Sequence, residues 1–223
     1  MKIVTVACDR YADIAPAYEY LLRKNWPDCP YPLIYVTNSK KLEVEGSIHY
    51  IEGEDIKFGW RLRTFIENHY NDDYLLLMMI DYLVVDVDTR LIARAHELIQ
   101  LPEIGHVRLR PKPGPQLSYD KDFGKIKKLS RYSLSLQPGI WESKVIYDLI
   151  RDRESAHTTE VQGSSRTDSI DKVFLCSHQI ALDHVNYYSR GRPAGGWLKL
   201  NTPPNIWTDA AKSARRSTKW DHV

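Results

Sequence analysis

The chain has 223 residues, 43% hydrophobic and 27% charged, with a net charge of +2 at pH 7. That length and composition fit one large globular domain or two small ones and exclude a disordered chain. The balance of 31 basic against 29 acidic residues argues against a nucleic-acid-coating protein, and no apolar run approaches the ~20 residues of a transmembrane segment. Cys8, Cys29 and Cys176 are too few and too unpatterned for a disulfide framework or a zinc site, which points to a reducing, cytoplasmic compartment.

Ile3–Ala7 reads as an apolar strand at the very start, without the long apolar core of a signal peptide. A helix follows toward Trp26, with Pro16 in its first turn. Leu33–Thr37 is a second strand, completing a βαβ opening. Neither G-x-G-x-x-G nor G-x-x-x-x-G-K-[ST] occurs, which argues against a dinucleotide enzyme and a P-loop ATPase. Ile48–Ile51 makes a short third strand. Phe58–Tyr70 has helical spacing, with Arg61 and Arg63 near its start, where they could meet a diphosphate or only solvate a surface.

Leu75–Ile80 is an unbroken apolar run between Asp72-Asp73 and Asp81. It reads as a central strand buried on both faces. Asp81 marks its carboxyl end, where open α/β sheets bind ligands and a carboxylate can hold a hard cation. The alternative is that Asp81 merely starts a turn. Tyr82–Val85 is a further short strand. Asp88 precedes a helix, Arg90–Gln100, so the triplet Asp86-Val87-Asp88 is read as capping rather than metal binding.

Pro102 stops that helix, and Gly105–Leu109 is another strand. Arg110–Arg131, rich in Pro and Lys, reads as a long loop: a lid, an acceptor-binding wall, or a mobile basic segment with no ligand. Tyr132–Leu136 alternates like a half-buried strand. Gln137–Trp141 turns sharply, and a helix runs from Glu142 to Arg151. A charged, small-residue segment covers Glu154–Arg166, and a helix or turn covers Asp168–Phe174. Ile180–Tyr188 is the last strand. A Gly-rich basic loop, Arg190–Trp197, could fold over an anionic ligand, and residues 208–223 form a polar tail or linker to a further domain.

The stretches DDYLLLMMIDYLVV, YSLSLQPGIWESKVIYDLI and ESAHTTEVQGSSR, in this order after the βαβ opening, carry a family resemblance. The chain resembles GT-A glycosyltransferases, especially small enzymes of capsular and surface-polysaccharide synthesis and a glycosyltransferase domain encoded by large algal viruses. The resemblance implies an α/β, Rossmann-like single domain over 1–207, with a central mostly parallel sheet flanked by helices. Residues 1–100 would form the nucleotide-binding half and 101–207 the acceptor-binding half. It implies a UDP-linked hexose or deoxyhexose donor, such as glucose or rhamnose, a glycan acceptor, inverting transfer, and Mn²⁺ or Mg²⁺ as cofactor.

Roles follow by matching positions. Ala7, Cys8, Asp9, Arg10 and Tyr11 match the loop that holds base and ribose, and Arg61 and Arg63 match the region near the diphosphate. Ile80 and Tyr82 flank Asp81 in the donor site; apart from the resemblance, Arg190 and Arg192 of the basic loop would take the phosphates if no metal does. Asp81 matches the last carboxylate of an Asp-x-Asp-like metal motif, but Met79 and Ile80 stand where another acid is often found. Glu160 matches an acid near the acceptor and would serve as general base, with Asp168 and Glu154 as alternatives, unless Glu160 is only an exposed carboxylate on a short helix. His184 would be a second metal ligand or a structural histidine. Gln137 and Trp141 would face the acceptor, unless Trp141 packs beneath its turn. Two rivals stay open. A sugar nucleotidyltransferase should carry a Gly-rich loop that ACDRYADIAP lacks. A glycan- or nucleotide-sugar-binding domain could keep the fold without catalysis.

Overall fold

The computed structural model describes residues 1–42, 44, 48–51, 57–189, 192, 193, 200, 202 and 203. Strand β1 (Lys2–Val6) leads through a 3-10 turn at Asp9–Ile14 into helix α1 (Ala15–Asn25), where Pro16 occupies the first turn. Then come β2 (Leu33–Thr37), β3 (Ile48–Ile51), α2 (Phe58–His69), β4 (Tyr74–Met79), β5 (Tyr82–Val87) and α3 (Thr89–Ile99). The second half runs β6 (Ile104–Arg108), β7 (Leu117–Ser118), β8 (Phe123–Lys125), β9 (Gly139–Glu142), α4 (Ser143–Leu149), α5 (Ala156–Arg166), β10 (Val173–Ser177) and β11 (Leu182–Asn186).

Among the described residues, nine strands form one sheet in the order β3-β2-β1-β4-β9-β6-β10-β8-β7. The pairings make β9 and β8 the two strands that run against the other seven. The sheet is therefore mainly parallel, and its centre must be covered on both faces. Leu76 and Met78 of β4 face a cluster with α1 and α3, while Leu75 and Leu77 face a cluster with α2 and α4. Each fully buried leucine here contributes roughly 1.5–3 kcal/mol. A separate two-stranded ribbon, β5 with β11, leaves the sheet just after Asp81.

Helix α3 begins where its cap requires, with Asp88 Oδ1 accepting from the Leu91 amide at 3.0 Å. Several expectations are corrected. Gly139–Trp141 is no turn but most of β9, an antiparallel strand between β4 and β6. Tyr132–Leu136 is no strand but a strap, with Ser133 to Leu136 all buried. Glu154–Arg166 is largely helix α5, capped by Ser155, whose Oγ accepts from the Thr158 amide. The long basic loop folds in part into the hairpin β7–β8 at the sheet edge. Val173–Ser177 is a strand, following a short 3-10 turn at Thr167–Ser169. The polar tail 208–223 and Arg190 lie outside the described residues, as does the Arg192 side chain. Among the described residues no helix is long and apolar enough to cross a membrane.

Candidate active site

The parallel strands β1 and β4 end side by side, with the Ile80 amide donating to the Val6 carbonyl at 3.2 Å. Just beyond those ends lies a cavity of about 610 Å³. Cys8, Tyr11, Arg61, Ile80, Asp81 and Tyr82 line it, joined by Lys57, Ser155, His157 and Glu160. This is the place where open α/β sheets bind ligands.

Asp81 sits where the apolar run of β4 stops. Burial pushes its carboxyl up to about 6, partly opposed by its own backbone amide. The Asp81 carbonyl accepts from the Tyr187 amide at 2.8 Å, which ties the end of the β5–β11 ribbon to the site. Asn186 and Tyr188 from that end complete the wall, and the Tyr188 ring stacks on Tyr11 at 4.2 Å.

Arg61 is buried on the first turn of α2 and donates to the Ala7 carbonyl at the end of β1. Burial lowers its pKa, while neighbouring Cys8 and Asp9 act the other way. Burial also raises the Cys8 thiol pKa, against the pull of Arg61. Helices α2 and α5 both open onto the cavity, since Lys57 and Phe58 begin the one and Ser155 to His157 the other. Their amino ends add positive potential beside Lys57 and Arg61.

Gly59 makes this arrangement possible. Its amide donates to the Glu154 carbonyl at 3.0 Å, and a Cβ there would lie 1.9 Å from the Arg151 carbonyl oxygen. Only glycine lets α2 approach the 151–154 loop so closely.

Glu160 projects from α5. Its Oε1 accepts from the Leu136 amide at 2.7 Å and from the Ser135 hydroxyl at 3.0 Å. The strap thereby fixes one carboxylate oxygen, and Oε2 makes no hydrogen bond among the described residues. Glu160 also lines a second cavity of about 480 Å³, together with Lys112, Pro113, Arg131, Tyr132, Ser135 and Gln137.

Other expected site residues are placed elsewhere. Arg63 donates to the Tyr147 carbonyl at 2.6 Å and pairs with Asp152 at 2.9 Å, so it clamps α2 to α4 and does not line the cavity. Asp168 is exposed on its 3-10 turn, away from both cavities. Glu154 is buried against Arg166 at 2.8 Å, a structural pair. Trp141 is fully buried on β9, stacked on His106 at 3.6 Å, with no face left for an acceptor. Asp9 accepts from the Ser39 hydroxyl and from the Ser39 and Lys40 amides. Burial disfavours its charge, yet these donors outweigh it and hold its pKa low. Asp9 thus links the loops after β1 and β2, while Arg10 is exposed and Ala7 supplies the carbonyl to Arg61. His184 stacks on Tyr82 at 4.1 Å and accepts at Nε2 from Arg110 at 3.2 Å. Burial and that guanidinium push its pKa down to about 3. It is not among the residues lining the cavity.

The sequence reading missed Lys57, Ser155, His157, Asn186 and Tyr188. One signal was available: Ser155 and Thr158 mark a helix start, which would have put the amino end of α5 beside Glu160.

No protein-family model matches the chain, and no curated protein matches it. Among solved structures, S. aureus TarS 1–349 superposes with a TM-score of 0.53 at 11% identity, over 83% of this chain. The chain spans 60% of that TarS chain. A galactosyltransferase, LgtC, solved in complex with donor and acceptor sugar analogues, has a TM-score of 0.41 at 15% identity, covering 67% of this chain and 62% of its own. A cytidylyltransferase from Leptospira borgpetersenii reaches 0.47 at 10% identity, covering 78% and 74%. The TarS likeness, with the mainly parallel sheet flanked by helices, gives the fold class: the chain has a GT-A fold. It leaves the chemistry to the site.

Proposed function

We propose that the chain is a glycosyltransferase. It moves a hexose or deoxyhexose from a UDP-linked donor to a hydroxyl of a glycan acceptor, with inversion. One observation carries this reading: on a GT-A fold, Asp81 at the end of β4 and Glu160 on α5 line the same cavity. The nucleotide lies along the ends of β1 and β4, beside Cys8, Tyr11 and Ile80 to Tyr82. Its diphosphate meets Arg61, Lys57 and the amino ends of α2 and α5.

The acceptor hydroxyl attacks the sugar's anomeric carbon while Glu160 Oε2 takes its proton. The bond from that carbon to the diphosphate oxygen breaks, and UDP leaves with the electron pair. The strap's bonds to Oε1 keep the base oriented during this step.

Among the described residues no three His, Cys, Asp or Glu side chains gather to cage an ion. Asp81 would hold Mn²⁺ or Mg²⁺ together with oxygens of the bound donor, since one carboxylate plus substrate phosphates can hold such an ion. Bound so, the ion would supply charge to offset the departing diphosphate.

Release of UDP from a set of UDP-hexoses and UDP-deoxyhexoses, with and without glycan acceptors, tests the proposal. The wild type should release UDP from at least one donor, faster with acceptor. UDP binding without release from any donor would leave a binding domain and sink the enzymatic reading.

A further inference from the structure

The second cavity carries features that the proposed transfer step does not use. It adjoins the first through Glu160 and the strap, since Leu136 lines one cavity and Ser135 the other. Its walls are held by Arg108, a fully buried side chain of β6. Arg108 donates to the Pro113 carbonyl at 2.9 Å on one wall, and to the Tyr132 and Ser133 carbonyls at 2.6 and 3.3 Å on the other. Tyr132 sits at φ 59°, a left-handed conformation that a bulky residue rarely adopts. Such backbone persists where its surroundings over-determine it, and it clusters at binding sites.

Among the described residues, the lining carries two cations. Lys112 and Arg131 are exposed, and neither makes an ion pair among the described residues. Arg131 lies over the Tyr132 ring at 5.2 Å, which holds the guanidinium at the cavity. Gln137 adds a side-chain amide to the lining. Among the described residues, the one carboxylate lining this cavity is Glu160, the proposed base.

We infer that this second cavity is the acceptor subsite and that it selects a glycan bearing an anionic group. The inference rests on the glycosyltransferase reading for its term "acceptor". The acceptor's hydroxyl lies at Glu160, its anionic group meets Lys112 and Arg131, and Gln137 hydrogen-bonds a neighbouring sugar hydroxyl. A neutral glycan would leave both cations without a partner and gain none of their attraction.

The test is a calorimetric titration with three oligosaccharides of equal length: phosphodiester-linked, uronic-acid and neutral glucan. The protein is the wild-type chain and K112E/R131E, whose folding is checked by thermal melting. The wild type should bind at least one anionic oligomer tenfold or more tighter than the neutral one. Raising the salt should shrink that ratio, and charge reversal should erase it. The phosphodiester and uronic-acid arms tell which anion is meant. Equal affinity for the neutral oligomer, an unchanged ratio in K112E/R131E, or binding of none of the three would overturn the inference. A UDP titration of the same wild-type sample judges the donor site separately. Anionic-oligomer binding without UDP binding would keep the subsite and remove the transferase reading.

Discussion

Arg108 and Asp81 are both charged groups withdrawn from water, and the molecule treats them differently. Arg108, in the middle of the sheet, donates to three carbonyls from two loops. Asp81, at the sheet's carboxyl edge, receives no side-chain donor among the described residues, and burial raises its pKa to about 6. The first region spends its polar groups on holding two walls together. The second leaves a carboxylate poorly solvated beside an empty volume, which is the cost a ligand can later offset. Buried hydrogen bonds tie the strap to the sheet, while the Asp81 carboxyl at the ends of β1 and β4 is left without a side-chain donor among the described residues.

The contrast can be broken at either side. The largest effect is expected at the cavity: Glu160→Gln should lower sugar-transfer turnover by about 10²–10⁴, the usual worth of a general base. A thermal melt should show the variant folded, because the amide oxygen can still accept from Leu136 and Ser135. Transfer at the wild-type rate would remove Glu160 from the chemistry. Arg108→Met should cost about 3–5 kcal/mol in denaturant unfolding, because three carbonyls lose a charged donor. A loss under 1 kcal/mol would mean that water satisfies those carbonyls and that the clamp is not structural.

Gly59→Ala should cost ~1–3 kcal/mol, since the new methyl meets the Arg151 carbonyl and pushes α2 off the 151–154 loop. Asp81→Asn should do the opposite. An acid whose pKa rises from 3.8 to about 6 on folding carries no penalty below pH 4. Its penalty grows between pH 4 and 6, where the folded state holds a proton that the unfolded state has lost, and is complete above pH 6. In EDTA without nucleotide, the asparagine variant should therefore be more stable by ~1–3 kcal/mol at pH 7 and equal to the wild type near pH 4. Equal stability at both pH values would show that Asp81 is well solvated. The smallest effect is expected at Arg63. Its alanine variant should lose ~1–2 kcal/mol of stability while nucleotide affinity stays within twofold, because the guanidinium serves α4 and Asp152.

The strands that build the cavity were legible because they are buried on both faces. Leu75–Ile80 could hardly be anything but a central strand, and Asp81 follows from where it ends. Helix α5 was legible only at its Ser155 start. The residues it buries are Thr159, Gly163 and Ser164, none of them an apolar marker, because Gly163 packs against Leu134 and Ser164 bonds the strap. The strap misled in the other direction. Its alternation of Ser and Leu is that of a half-buried strand, but the serines are buried too and bond to α5. Strand β9 was hidden by Pro138-Gly139, a turn signal, where glycine in fact serves the close approach of His106. The two arginines of α2 could not be told apart by sequence. They are two positions apart on a helix and so point away from each other, and only the packing decides which one faces the cavity.

The glycosyltransferase proposal stands on a nucleoside diphosphate binding at the ends of β1 and β4. An amide NMR titration with UDP in the presence of Mg²⁺ reads that binding residue by residue. Saturable shifts are expected at Cys8 to Tyr11, Arg61, Ile80 to Tyr82 and Ser155 to Glu160. Shifts confined to another surface, such as the lysines at 125–128, or no binding at all, would contradict the proposal.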